Sequence, residues 1–199
     1  MQRMTSEDRR AAIMATAIKL FSERGFRGTT TRALADAIGV SEPVLYEHFK
    51  SKRDLFEAII DVKSREGVAR ATALLKPLAE AGQDRELLIG LGEFVVQCHT
   101  EDESYGRLLL MAALEGPDLG DIFYERQREA REMLAAYFAA RTRAGVFREV
   151  DPIVAARVFL GMSTELGMNR MLYRGAAGLG SVREIVEQMV DVFLKGIAK

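Results

Sequence analysis

Tryptophan is absent from the 199 residues, cysteine occurs once and histidine twice. A single thiol at Cys98 excludes an intramolecular disulfide and any multi-cysteine zinc or iron–sulfur centre. Cys98-His99 with Glu101 and Asp102 looks at first like a metal or nucleophile cluster. Neighbouring helical side chains point about 100° apart, so the pair cannot grip one ion together. The other histidine, His48, lies far upstream. Also missing are G-x-S-x-G, P-loop and G-x-G-x-x-G patterns, the signs of an acyl-transfer nucleophile or a phosphate cradle. No catalytic residue, metal or cofactor is therefore expected. No run approaches 18 apolar residues, so no membrane span is expected, and the start MQRMTSEDRR lacks the apolar core of a signal peptide. These absences together predict a cytoplasmic protein of a reducing compartment.

Charge of one sign is also lacking overall, with a formal net of −1. The balance hides an asymmetry. Residues 1–53 carry ten Lys and Arg against six Asp and Glu, a net of +4, and the remainder carries a net of −5. A basic head on an acidic body steers one end of the molecule toward phosphate. What is abundant is apolar residues, 48% of the chain, and nearly all of them recur at helical period. The expectation is an all-α chain of about nine helices: a three-helix head over 7–67 and a helical body over 68–199.

The stretch 29–56, TTTRALADAIGVSEPVLYEHFKSKRDLF, is the most informative. A helix capped by Thr30 or Thr31 turns Leu34, Ala35 and Ile38 inward. Gly39 stands where the chain must leave it in left-handed geometry, and Val40 can fill the corner. Ser41 is placed to cap a second helix with Pro43 in its first turn, where a missing N–H costs nothing. Leu45 and Phe49, four apart, face inward, leaving Val44, Tyr46, Glu47 and His48 outside. This is the layout of a helix-turn-helix (30–49). Upstream, a helix over about Ser6 to Arg24 stops at Gly25, and Ser51 with Asp54 resembles a capping box opening the next helix, which joins head to body without a flexible linker.

The order Gly39-Val40-Ser41, Tyr46-x-His48-Phe49 and Lys52-x-x-Leu55, with Ala17–Phe21, Gly25-Phe26 and Thr29-Thr30 before it, resembles the DNA-binding domain of tetracycline-repressor-type (TetR family) regulators. The detailed match covers about the first 60 residues; beyond them only length and helical character are similar. Thr30, Thr31, Tyr46 and Lys52 suit phosphate contacts that position the head, and Lys50 a flanking phosphate. Ser41, Glu42, Pro43, Val44 and His48 occupy the reading helix and its mouth. There Glu42 or His48 suits a base edge, and Pro43 or Val44 a thymine methyl. Against this, Glu42 as a mere partner of the helix dipole and Lys50 as solvated surface are the ordinary readings.

In the body, Asp151-Pro152 opens a helix running to about Tyr173. The loop 175–180 follows, then a last helix opened by a Ser181–Glu184 capping box. Its stripe reads Ile185, Met189, Val192 or Phe193, and Gly196-Ile197. Two such antiparallel helices suit a two-fold four-helix bundle with a second chain, or the closing of the chain's own core. The resemblance favours a homodimer through 152–173 and 181–197. The long helices predict a pocket for a small apolar ligand lined by Met111, Met133, Tyr137, Met162 and Glu165, methionine being equally good core filler. Glu165 falls within the stripe Val154, Val158, Gly161 or Met162, Met168 or Asn169, and Leu172, where a carboxylate is costly unless paired. Its partner would be Arg107, Arg170, a ligand cation or the dimer seam. The resemblance implies a repressor released from a palindromic double-stranded DNA operator by the ligand. The competing reading is a DNA-binding regulator without a small-molecule ligand, controlled by a protein partner.

Overall fold

In the computed structural model, which describes residues 5–173 and 180–197, ten α-helices account for the regular structure. They are α1 (Ser6–Gly28), α2 (Thr31–Ile38), α3 (Glu42–His48), α4 (Lys52–Glu80), α5 (Asp84–Thr100), α6 (Glu103–Glu115), α7 (Pro117–Arg126), α8 (Arg128–Arg143), α9 (Pro152–Leu172) and α10 (Val182–Ile197). No strand occurs among the described residues. The expected loop 175–180 falls largely on residues 174–179, outside the described ones.

Local chemistry sets most helix ends. Thr30 rather than Thr31 caps α2, its hydroxyl accepting the Ala33 N–H at 3.1 Å. Gly39 adopts φ 80°, and its N–H and that of Val40 close on Ala35 O at 3.0 Å. Asp151 Oδ1 takes the N–H groups of Ile153 and Val154, and Ser181 and Glu184 bond reciprocally as a capping box. A second box, Thr5 with Asp8, opens α1. Ser41 departs from expectation: it holds the N-cap position of α3 but makes no capping bond. Pro43, at the second helical position, has removed one of the two N–H groups that such a cap would use.

Two further helices are shaped by their interiors. The helix from Lys52 runs unbroken through Pro77 to Glu80, since a proline three residues from the end removes little of the ladder. The helical stretch from Pro117 to Arg143 is divided at Gln127 into α7 and α8.

The chain forms two compact units. One takes the residues up to Ser64 together with Glu103–Arg126, and the other takes the rest. Helices α6 and α7 thus belong to the same unit as α1, α2 and α3. Leu108, Ala112 and Leu119 share a core with Ile13, Phe21, Leu34, Leu45, Phe49 and Phe56. Each of the leucine, isoleucine and phenylalanine side chains among them contributes roughly 1.5–3 kcal/mol by its burial. Phe21, Phe26 and Phe56 form a mutual aromatic cluster at its centre. The second unit is built on α5, α8, α9 and α10 and the end of α4, around Phe138, Phe147, Phe159 and Phe193.

Candidate nucleic-acid interface

Helices α2 and α3 turn Leu34, Ala35 and Leu45 inward, and Phe49, the residue after α3, completes the anchor. The side chains left outside are largely those expected to meet DNA. Thr30, Ser41, Pro43, Tyr46 and Lys50 are exposed, and Thr31, Glu42, Val44 and His48 are half-buried. Thr31 and Glu42 are joined: the Thr31 hydroxyl donates to Glu42 Oε2 at 2.9 Å, linking the first turns of α2 and α3. One carboxylate oxygen is thereby fixed, and Oε1 carries no bond within the protein among those resolved.

Lys52, expected to meet a phosphate, is half-buried. Its ammonium donates to Phe26 O and Thr29 O, both at 2.7 Å, and lies 4.3 Å from the Phe26 ring centroid. Desolvation lowers its pKa, partly offset by the charge of Glu115. The group is a clamp on the α1–α2 connection before it is a phosphate ligand. It meets the carbonyl of Phe26, which also accepts the Thr29 N–H at 3.4 Å, and that of Thr29, the residue after α1. Lys50 faces outward, while its backbone N–H binds Asp54 Oδ2 at 2.9 Å. Sequence reasoning missed Arg10, whose guanidinium donates to His48 O at 2.6 Å and stacks 4.0 Å from the Phe49 ring centroid. It closes the C-terminus of α3 from 38 residues away, a separation no local pattern reports. Arg32, on the first turn of α2, is exposed as well.

Residues 13–59 match the family model described as bacterial regulatory proteins, tetR family, and 86–196 match that of the AefR-like transcriptional repressor C-terminal domain. The second model alone spans more than half of the chain. This protein belongs to the TetR family. It is a transcriptional regulator of the helix-turn-helix type. The tetracycline repressor protein class C of Escherichia coli is 46% identical over 52 residues, 26% of this chain and 24% of its own length. The transcriptional repressor AcnR of Corynebacterium diphtheriae is 25% identical over 92% of this chain and 91% of its own. Among solved structures, the flavonoid-responsive regulator FrrA superposes with a TM-score of 0.75 at 28% identity, over 97% of this chain and 98% of that one.

The five residues expected to line a ligand pocket are placed as follows. Met111 belongs to the first compact unit and the other four to the second. Met133 is exposed on α8, and Met162 is half-buried against the second core. The Tyr137 hydroxyl donates to Asp84, which also holds Arg141 at 2.6 Å; burial is the main cause that raises the phenol's pKa. Glu165 is exposed and takes a bond from the Asn169 amide, so it is not a carboxylate buried in an apolar stripe. Arg170, one expected partner, donates instead to Gly180 O at 2.7 Å.

The phase of α9 sets the position of Glu165. Its core face is Ala155, Ala156, Phe159, Ser163, Leu166, Gly167 and Met171, leaving Val154, Val158, Gly161, Glu165 and Leu172 outside. α10 likewise buries Val186, Val190, Phe193 and Ile197, and Val192 is 70% exposed. A shallow groove of about 540 Å³ in the second unit is lined by Gln83, Asp84, Arg85, Glu86, Val146, Phe147 and Leu194, none of them among the five. No group of three metal-ligating side chains, and no helix long and apolar enough to cross a membrane, occurs among the described residues.

Proposed function

We propose that this regulator is a repressor that binds a palindromic operator as a homodimer and is released by a small apolar ligand. The observation that carries the DNA-binding reading is the α2–α3 pair itself: its apolar side is buried while the side bearing Thr30, Ser41, Pro43, Tyr46 and Lys50 is left to solvent. On this reading Thr30, Thr31, Tyr46 and Lys50 hold phosphates, and Lys52 supports them from behind. Ser41, Pro43, Val44 and His48 line the major groove. Glu42, an acceptor with one oxygen already fixed by Thr31, reads the exocyclic amino group of a cytosine. The repressor sense is supported by the C-terminal model matched over 86–196.

Two further observations support the assembly. α9 and α10 carry apolar side chains on their outer faces, Val154 and Val158 on one and Val192 on the other. A two-fold partner would cover them, with Glu165 at the seam. Ligand release would act by changing the separation of the two heads, which must match major grooves about 34–36 Å apart. An apolar ligand is in keeping with the flavonoid-responsive regulator of the same fold. The open groove without methionine favours the rival in which the body answers to a protein partner. Selection of bound duplexes from random DNA, followed by a screen of apolar compounds for release, tests both. Palindromic winners released by one compound class support the proposal. Palindromic winners that no compound releases support the rival, and failure to select any duplex overturns both.

A further inference from the structure

We infer that Glu115 is a positioning residue for DNA binding, latching the entrance of the helix-turn-helix to the end of α6. The inference rests on the DNA-binding reading above but on different atoms. Glu115 is the last residue of α6, and its Oε2 accepts the Arg27 N–H at 2.8 Å, 88 residues away along the chain. That N–H belongs to the short segment between the kink at Gly25 and the cap of α2 at Thr30.

The site is shaped for the carboxylate. Gly25 lies at φ 73°, and a Cβ there would stand 1.9 Å from Glu115 Oε1. Glycine is needed for its backbone angle and again for the room it leaves the carboxylate. A carboxylate at the C-terminal end of a helix meets the negative end of the dipole and is unfavourable there unless compensated. Compensation comes from the Arg27 N–H and from the nearby ammonium of Lys52, whose charge is coupled to that of Glu115. Lys52 in turn holds Phe26 O and Thr29 O. Residues 26–29 are therefore held on their N–H side by α6 and on their carbonyl side by α4. The Thr29 hydroxyl, fully buried and donating to Gly25 O at 2.8 Å, stiffens the same turn. With both ends fixed, the direction in which α2 leaves α1 is set, and with it the presentation of α3.

Glu115 also lies inside the stretch matched by the C-terminal model, 86–196, and outside the tetR-type model, 13–59. A residue of the body's sequence thus holds the turn from which the reading helices start.

The test compares Glu115→Ala and Glu115→Gln with the unaltered full chain, using a duplex that the unaltered chain has selected from random DNA. Glu115→Ala should lose about tenfold in affinity, the scale of one charge-assisted hydrogen bond. The salt dependence and base preference should not change, because Glu115 touches neither phosphate nor base. Glu115→Gln, which keeps an acceptor for the Arg27 N–H, should recover part of the loss. Without DNA, amide exchange at Arg27 should quicken in Glu115→Ala while protection over Leu55–Ile60 stays as it was. Unchanged Arg27 exchange overturns the latch, whatever the DNA result. Faster Arg27 exchange with full affinity overturns the positioning role, as does a loss of affinity matched by loss of the whole fold. If no duplex is selected at all, the DNA-binding reading fails, and the exchange result still decides the latch.

Discussion

Lys52 and Lys50 lie two residues apart and do different work. The ammonium of Lys52 is spent on two carbonyls at 2.7 Å, whereas that of Lys50 stands in solvent beside the reading helix. Lys50→Ala is expected to lower the salt slope of operator binding by about one ion. Lys52→Met should leave the slope nearly unchanged but lower the stability of the fold by about 1–2 kcal/mol, from lost charge-assisted bonds made by a partly exposed ammonium. Binding isotherms over a salt series and denaturant melts separate the two; a slope change in Lys52→Met as large as in Lys50→Ala would return Lys52 to the phosphate.

Glu42 invites a second substitution. Glu42→Gln exchanges an acceptor for a group that suits adenine, and should move the preferred base at one half-site position from cytosine to adenine, at roughly 1–3 kcal/mol. Repeating the DNA selection with the variant checks this. An unaltered preference would leave Glu42 as no more than Thr31's partner.

Among the elements, the outer and inner faces of α9 and α10 make opposite predictions. Val158→Asp or Val192→Asp should yield folded monomers by sedimentation, with weak operator binding, if the exposed stripes are the dimer seam. Phe193→Ala, on the buried face, should instead cost about 3–5 kcal/mol of stability. A Val158→Asp chain that remains an unaltered dimer would rule out this interface.

Helix starts add a pH dependence. Asp8 is held below the usual carboxylate range by the Thr5 hydroxyl and backbone, and Glu184 by the Ser181 backbone and hydroxyl. A lowered pKa means a contribution fully present above the ordinary value and lost as pH falls through the lowered one. The first turns of α1 and α10 should therefore fray below about pH 4, read by amide exchange, and Asp8→Asn or Glu184→Gln should abolish the dependence at its own helix.

These elements also show what the sequence made legible. Caps and stops depend on neighbours within four residues, so Thr30, Gly39, Asp151-Pro152 and Ser181–Glu184 could be read directly. The phase of α9 could not be, because apolar residues lie nearly all round it and either stripe would serve as a core face. Nor could the bonds from Arg10 to His48 or from Glu115 to Arg27, which join residues 38 and 88 positions apart. The exposure of Glu165 escaped for the first reason and the positioning residues for the second.

At the scale of the whole molecule, the division of the chain differs from the division of its family models. The tetR-type model ends at residue 59, yet the core it belongs to is completed by Leu108, Ala112 and Leu119. Anyone building chimaeras, with the reading head of this regulator joined to a foreign sensor, would be tempted to cut near residue 64. Such a graft would carry the recognition surface but leave Phe21 and Phe56 facing an unfilled notch and Gly25 without its carboxylate. A workable transplant needs two junctions, so that α6 and α7 travel with the head and the foreign sensor is threaded around them.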